Sequence, residues 1–139
     1  MTTKIANRVH HVAILVHSID ASVDFYRDQF NFSLASDERL PELGVRLAFL
    51  DAGGTFLQLV EPITDGPLKQ DLDRIGEGLH HICFAVPDIE LAITQLSPGQ
   101  SVSVNNGTRG RTAFLPVGPN GVRTELIETA PSQPREGVP

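Results

Sequence analysis

The sequence predicts an α+β fold made of two tandem β-α-β-β-β modules, and two observations predict it. The first is an internal repeat. Placing His11 on His81, an offset of 70 residues, aligns His10 with His80, Val12 with Ile82, Val16 with Val86 and Ile19 with Ile89. The match runs on to Val23 with Ile93 and Tyr26 with Leu96. A self-match of this length marks two copies of one supersecondary unit. The second observation is that the later parts of each copy echo one another. Arg111-Thr112-Ala113-Phe114-Leu115 follows Arg46-Leu47-Ala48-Phe49-Leu50, and Arg123-Thr124-Glu125-Leu126-Ile127-Glu128 follows Phe56-Leu57-Gln58-Leu59-Val60-Glu61.

The elements follow in order. Residues 1–8 are a polar lead-in with no apolar core, unlike a signal peptide. Residues 10–16, dense in Val, Ile and Leu, read as a strand. Ser18 is a suitable N-cap, and Ile19, Val23, Tyr26 and Phe30 recur at helical spacing, which predicts an amphipathic helix over 19–30. Residues 32–35 alternate as a short strand, 41–44 form a turn, and 45–50 and 55–61 are strands joined by a hairpin at 51–54. These elements make a first module over 8–62. The linker, 63–77, is punctuated by Gly66, Pro67 and Gly76, with a short helix expected from Leu68 to Ile75. The second module, 78–130, repeats the plan: a strand over 79–86, a helix capped by Asp88 and ended by Ser97-Pro98-Gly99, a short strand at Val102 and Val104, and strands at 111–115 and 123–128. The Pro-containing tail, 131–139, is expected to be disordered.

Composition narrows the function. A hydrophobic share of 40% and a charged share of 20% are those of an ordinary soluble globular protein. A net charge of −6 without a basic run argues against a nucleic-acid partner. A single cysteine, Cys83, excludes an internal disulfide and suits a reducing compartment. No apolar run approaches the roughly 20 residues that cross a bilayer. A cytoplasmic protein without a membrane partner is expected.

Polar residues on apolar strands point to the chemistry. Alternate strand residues share a face. Val12, Ile14 and Val16 should meet the helix, leaving His11, Ala13 and Leu15 on the other face; Ile82, Phe84 and Val86 likewise leave His81, Cys83 and Ala85. The second face carries a histidine followed by small residues, as if lining a cavity. Gln58 and Glu125 stand at equivalent positions on apolar strands of the two copies. Each of the four alone reads as an ordinary half-buried polar residue. Paired across the repeat, His11, Gln58, His81 and Glu125 form a candidate ligand set for a divalent metal such as Zn, Co, Mn or Ni, because imidazole nitrogen and carboxylate or amide oxygen suit these ions. His10 and His80 fall on the opposite strand face and read as supporting or structural residues, His17 reads as a surface residue, and Cys83 as a small core or pocket residue.

Taken together, His-Val-Ala-Ile at 11–14, Phe25-Tyr26, Leu40-Pro41-Glu42-Leu43-Gly44-Val45, Gln58-Leu59-Val60-Glu61-Pro62, Gly76-Glu77-Gly78-Leu79-His80-His81-Ile82 and Gly121-Val122-Arg123-Thr124-Glu125-Leu126 resemble the vicinal oxygen chelate superfamily of glyoxalase, bleomycin resistance and dioxygenase proteins. Within it the chain is most similar to the methylmalonyl-CoA epimerase branch, over residues 8–129. The resemblance implies paired β-α-β-β-β modules forming a curved mixed sheet around a metal cavity, with His11, Gln58, His81 and Glu125 as ligands. It implies an isomerase that removes a proton beside a metal-chelated carbonyl, through an enolate; with Leu47 supplying no acid, Glu125 is left as the carboxylate base, the competing role being that of a ligand only. The substrate would be a small molecule such as an acyl-CoA thioester, and a homodimer is expected. Leu47 stands where some members carry a glutamate, the second module is shorter between Leu96 and Arg111, and Leu115-Pro116-Val117-Gly118-Pro119-Asn120 replaces a usual His-Pro, so the acyl group is left open. The alternatives are a glyoxalase-like lyase, a natural-product biosynthetic isomerase, or a small-molecule binding or resistance protein. An intact ligand set disfavours the last.

Overall fold

The computed structural model describes residues 5–116 and 118–129, so the tail expected to be disordered at 131–139 lies outside the described residues. The elements are β1 (Arg8–Leu15), α1 (Ile19–Asp28), β2 (Ser33–Leu40), β3 (Val45–Asp51), β4 (Phe56–Pro62), α2 (Pro67–Ile75), β5 (Gly78–Val86), α3 (Ile89–Leu96), β6 (Asn105–Asn106), β7 (Arg111–Phe114) and β8 (Thr124–Glu128). The β-α-β-β-β order therefore occurs twice, with α2 between the copies. The fold class is α+β, with three α-helices and eight strands among the described residues in mixed pairings: β5 and β8 run parallel, whereas β2 with β3, β3 with β4, β6 with β7 and β7 with β8 are antiparallel.

The chain divides into two compact units, one of Val12–His80 and one of Met1–His11 with His81–Pro139. In the first, the strand order is β2-β3-β4 and then the later half of β1, joined to β4 by the bond from Val16 N–H to the Val60 carbonyl at 2.9 Å. Helix α1 buries Ile19 and Val23 against Val16, Ala48, Leu50 and Leu59, with Ile14 alongside. The other sheet face buries Ala13, Leu15, Val45 and Val60 under Leu72 of α2. Ala13 and Leu15, expected to line a cavity, are thus core residues. The linker helix supplies the apolar cover, through Leu68 and Leu72 at one-turn spacing.

Capping explains where α1 starts and stops. Ser18 Oγ accepts from Ala21 N–H at 3.2 Å. The helix closes at Asn31, whose positive φ of 62° places it in the left-handed region, and Phe32 N–H donates to the Tyr26 carbonyl at 3.1 Å. The bond satisfies a carbonyl of the last turn, and Asn tolerates the left-handed conformation better than most residues. β2 runs to Leu40, past the expected end at residue 35. Its polar stretch Ser36-Asp37-Glu38-Arg39 hides the strand because it forms the exposed edge paired to β3. Gly44, at φ +69°, turns the chain from β2 into β3.

In the other unit the order is the early half of β1, then β5-β8-β7-β6, with Asn7 N–H donating to the Ala85 carbonyl at 2.8 Å. Helix α3, capped by Asp88 Oδ1 on Leu91 N–H at 3.0 Å, buries Ile89 and Ala92 against Val86, Ala113 and Leu126. Cys83, Ala85 and Ile127 pack on the opposite face. The strand expected at Val102 and Val104 forms further on, at Asn105–Asn106, and Val102 packs into the α3 core instead.

A glutamate caps the corresponding helix in each unit. Glu61, on the last strand of the first copy, accepts from Ile19 N–H at 2.7 Å; Glu128, on the last strand of the second, accepts from Ile89 N–H at 2.9 Å. Arginines follow the same repeat. Arg46 forms ion pairs with Asp20 and Asp37, and Arg111 with Glu90 and Glu128. A carboxylate on an orphan N–H at a helix start combines a charge-assisted bond with a favourable dipole. Glu61→Ala is expected to cost about 1–3 kcal/mol of unfolding free energy, and Glu61→Gln less, in urea denaturation. Equal stability of wild type and Glu61→Ala would contradict this assignment.

Candidate metal centre

His11, His81 and Glu125 come together in one unit. His11 lies on β1, His81 on β5 and Glu125 on β8, and all three are buried. The parallel pairing of β5 with β8 sets Cys83 beside Glu125, and the antiparallel pairing of β7 with β8 sets Phe114 on its other side. The Phe114 ring meets the His81 imidazole edge-on, with centroids 5.0 Å apart. This contact fixes the ring of His81 from one side.

Three donor atoms converge. His11 Nε2 lies 3.3 Å from His81 Nε2, and each of these nitrogens lies 3.1 Å from Glu125 Oε1. Neighbouring ligands around a metal with bonds of about 2.0–2.1 Å are separated by roughly 3.0–3.4 Å, so this triangle has the dimensions of a metal-ligand face. Two imidazole nitrogens and one carboxylate oxygen are all lone-pair donors in their neutral and ionised forms, and three such atoms this close need a cation or shared protons between them. The set therefore fits a divalent first-row metal.

Gln58 belongs to the other unit. It sits on β4 directly across from Phe49 on β3, with Phe56 and Val60 on the same strand face. Its side chain is buried, and its Oε1 has no hydrogen-bond partner. An orphaned buried carbonyl costs about 1–3 kcal/mol, which makes it a donor prepared for a bound group.

The electrostatics follow from burial and neighbours. Burial works to raise the pKa of Glu125, but the bonds from His11 and His81 outweigh it and hold the carboxyl down at about 2. Burial lowers the pKa of His11, and the bond to Glu125 only partly offsets it. Burial, and then the negative charge of Glu125, push the Cys83 thiol far up, so it stays protonated. Cys83 is thus an inert neighbour rather than a nucleophile.

A pH dependence follows for the metal-free protein. A carboxyl depressed from 4.5 to about 2 stabilises the fold above pH 4.5, and that contribution is lost as the pH falls through 2. A histidine held below 6.5 stays neutral in the fold while the unfolded chain takes up a proton, so its contribution is lost as the pH falls below 6.5. Unfolding free energy is expected to decline from pH 6.5 downward, with the Glu125 part on the order of 3 kcal/mol. Urea denaturation across pH 7 to 3 checks this, and a flat profile would contradict it.

His10, read as a supporting or structural residue, stands beside His11. Strand alternation placed it on the opposite face, yet its Nδ1 lies 2.7 Å from His11 Nδ1 and it is fully buried. His17 is exposed, as expected. Two further carboxylate or thiol clusters exist among the described residues. One is Asp88, Glu90 and Glu128, already used as helix caps and Arg111 partners, and the other is His10, His11 and Cys83.

Comparison with known proteins shows the family and agrees with the fold. The model of the Glyoxalase/Bleomycin resistance protein/Dioxygenase superfamily matches residues 10–112. The uncharacterized protein YqjC of Bacillus subtilis (strain 168) is 34% identical over 137 residues, covering 94% of this chain and 98% of its own. Mitochondrial methylmalonyl-CoA epimerase of Homo sapiens is 31% identical over 127 residues, covering 86% of this chain and 72% of its own. A solved variant of Streptomyces coelicolor methylmalonyl-CoA epimerase in complex with 2-nitronate-propionyl-CoA superposes with a TM-score of 0.78 at 35% identity, over 91% of this chain and 96% of that one. No helix among the described residues is long and apolar enough to cross a membrane.

Proposed function

The chain belongs to the Glyoxalase/Bleomycin resistance protein/Dioxygenase superfamily, and on that premise we propose that it is a metal-dependent isomerase resembling methylmalonyl-CoA epimerase. It removes a proton from the carbon beside a carbonyl of a malonyl-type acyl-CoA thioester. The observation that carries the reading is the buried triangle of His11 Nε2, His81 Nε2 and Glu125 Oε1, with edges of 3.1–3.3 Å. Gln58 is the fourth ligand that the family resemblance implies, and its own Oε1 is buried and orphaned.

A divalent ion held by these residues, Co, Zn, Mn or Ni, supplies Lewis-acid polarisation of a chelating substrate and stabilises the negative charge that follows proton loss. The chain's own residues do the rest. His11 and His81 hold the ion with neutral imidazoles, and the burial that keeps His11 unprotonated favours that form at neutral pH. Glu125 contributes one oxygen to the ligand face and accepts the substrate proton as general base. The Phe114 ring meets His81 edge-on and holds the imidazole from one side. The repeated element order supports reading residues 8–62 and 78–130 as two equivalent modules joined by 63–77. The reading also includes a homodimer that works in the cytoplasm, tested by native mass and by fractionation of the source cells.

Leu47 favours a second reading. It is an apolar residue packed with the core under α2, across from Val60 on β4, and supplies no acid or base. An enzyme that removes and returns a proton with one carboxylate, a lyase or isomerase of another chelating substrate, suits that position. Incubation of the metal-loaded protein with methylmalonyl-CoA in deuterated water separates the two. The first reading expects deuterium at the carbon between the carbonyls together with inversion. No exchange into any malonyl-type thioester, with turnover of an aldehyde–thiol adduct, would replace it with the second.

A further inference from the structure

We propose that His10 is a positioning residue for His11, accepting a hydrogen bond from its Nδ1–H and so holding the tautomer whose Nε2 is free to ligate a metal. The inference rests on the metal site proposed above. The two Nδ1 atoms are 2.7 Å apart, and the rings meet edge-on at 76° with centroids 5.0 Å apart. One proton must lie between two nitrogens at that distance. The geometry at the other end of His11 decides which ring owns it. His11 Nε2 is the atom that faces His81 Nε2 and Glu125 Oε1, so Nε2 must present a lone pair to a metal. A neutral imidazole then carries its single proton on Nδ1, and His10 Nδ1 must be the acceptor. His10 is in turn the tautomer protonated on Nε2.

Burial separates this role from simple packing. His10 is 0% exposed, and a polar ring in such a place costs free energy that an apolar side chain of similar size would avoid. Its counterpart in the repeat, His80, is only partly buried, so the fold does not demand a buried histidine at this position of the module. A metal-bound histidine held through its second nitrogen keeps both ring orientation and basicity.

Two variants test the proposal, with Zn2+ affinity read by competition against a chromophoric chelator. His10→Gln keeps an acceptor for the His11 Nδ1–H; His10→Leu removes it and keeps the bulk. We expect a loss of about 10–100-fold for His10→Leu and a change within about threefold for His10→Gln. Long-range 1H–15N NMR of the Zn2+-loaded wild type should show a protonated Nδ1 on His11 and an unprotonated Nδ1 on His10. Wild-type affinity in folded His10→Leu, equal losses in both variants, or a protonated His10 Nδ1 would overturn the proposal. If His10→Leu fails to fold, the NMR spectrum and His10→Gln still decide. A wild type that binds no Zn2+ would instead overturn the metal site itself.

Discussion

Glu125→Gln, saturated with metal, is expected to lose solvent-deuterium exchange into a malonyl-type thioester by about 100-fold or more, the usual contribution of a positioned general base. Glutamine keeps an oxygen donor at the ligand face but cannot accept a proton. Glu125 in the metal-free protein is held at about 2, which secures its ionised form but makes it a weak base. Exchange at the wild-type rate in metal-loaded Glu125→Gln would reduce Glu125 to a ligand and place the base elsewhere. Metal content of the variant, measured alongside, distinguishes a lost base from a lost metal.

His81→Ala is expected to weaken metal affinity by more than about 100-fold and to reduce activity to background, because a missing ligand costs more than a missing supporting contact. The His11→Ala, His81→Ala double variant should retain no stoichiometric metal after dialysis. Removing His81 also takes away one of the two bonds that hold Glu125 ionised. The stability lost on acidification below pH 4.5 should therefore shrink in His81→Ala, in the direction set by the depressed carboxyl. Elemental analysis of the dialysed protein checks the first expectation and urea denaturation the second. Wild-type metal content in the double variant would refute the ligand assignment.

The repeat made most of the architecture legible. The register of His11 on His81 anticipated two strands carrying equivalent histidines, and the helical spacing of Ile19, Val23 and Tyr26 anticipated the face that α1 buries. The cap residues Ser18 and Asp88 were readable because their oxygens can reach only the first turn that follows. Long-range pairings were not readable. Glu61 and Glu128 look like polar strand ends, and only the fold brings each to a helix start 42 or 39 residues away. The edge strand β2 escaped because an exposed edge shows no apolar alternation beyond Ala35. Ala13 and Leu15 were misplaced for a related reason: nothing in β1 announces that α2 will cover its second face.

At the candidate site, strand alternation picked out His11 and His81 and pairing across the repeat picked out Glu125, and the structure brings these three together. For His10, read as a supporting or structural residue, the contact with His11 was not legible, since a strand model describes where Cβ points and not where a long ring turns afterwards. The orphaned oxygen of Gln58 was likewise invisible, because satisfaction of a buried amide depends on neighbours brought in from other strands.

Anomalous X-ray diffraction from crystals loaded with Co2+ or Zn2+, recorded at the absorption edge of the ion, tests the central claim most directly. The account predicts one strong peak within about 2.0–2.2 Å of His11 Nε2, His81 Nε2 and an oxygen of Glu125. A peak elsewhere, or no bound ion beside these three side chains at saturating metal, would contradict it.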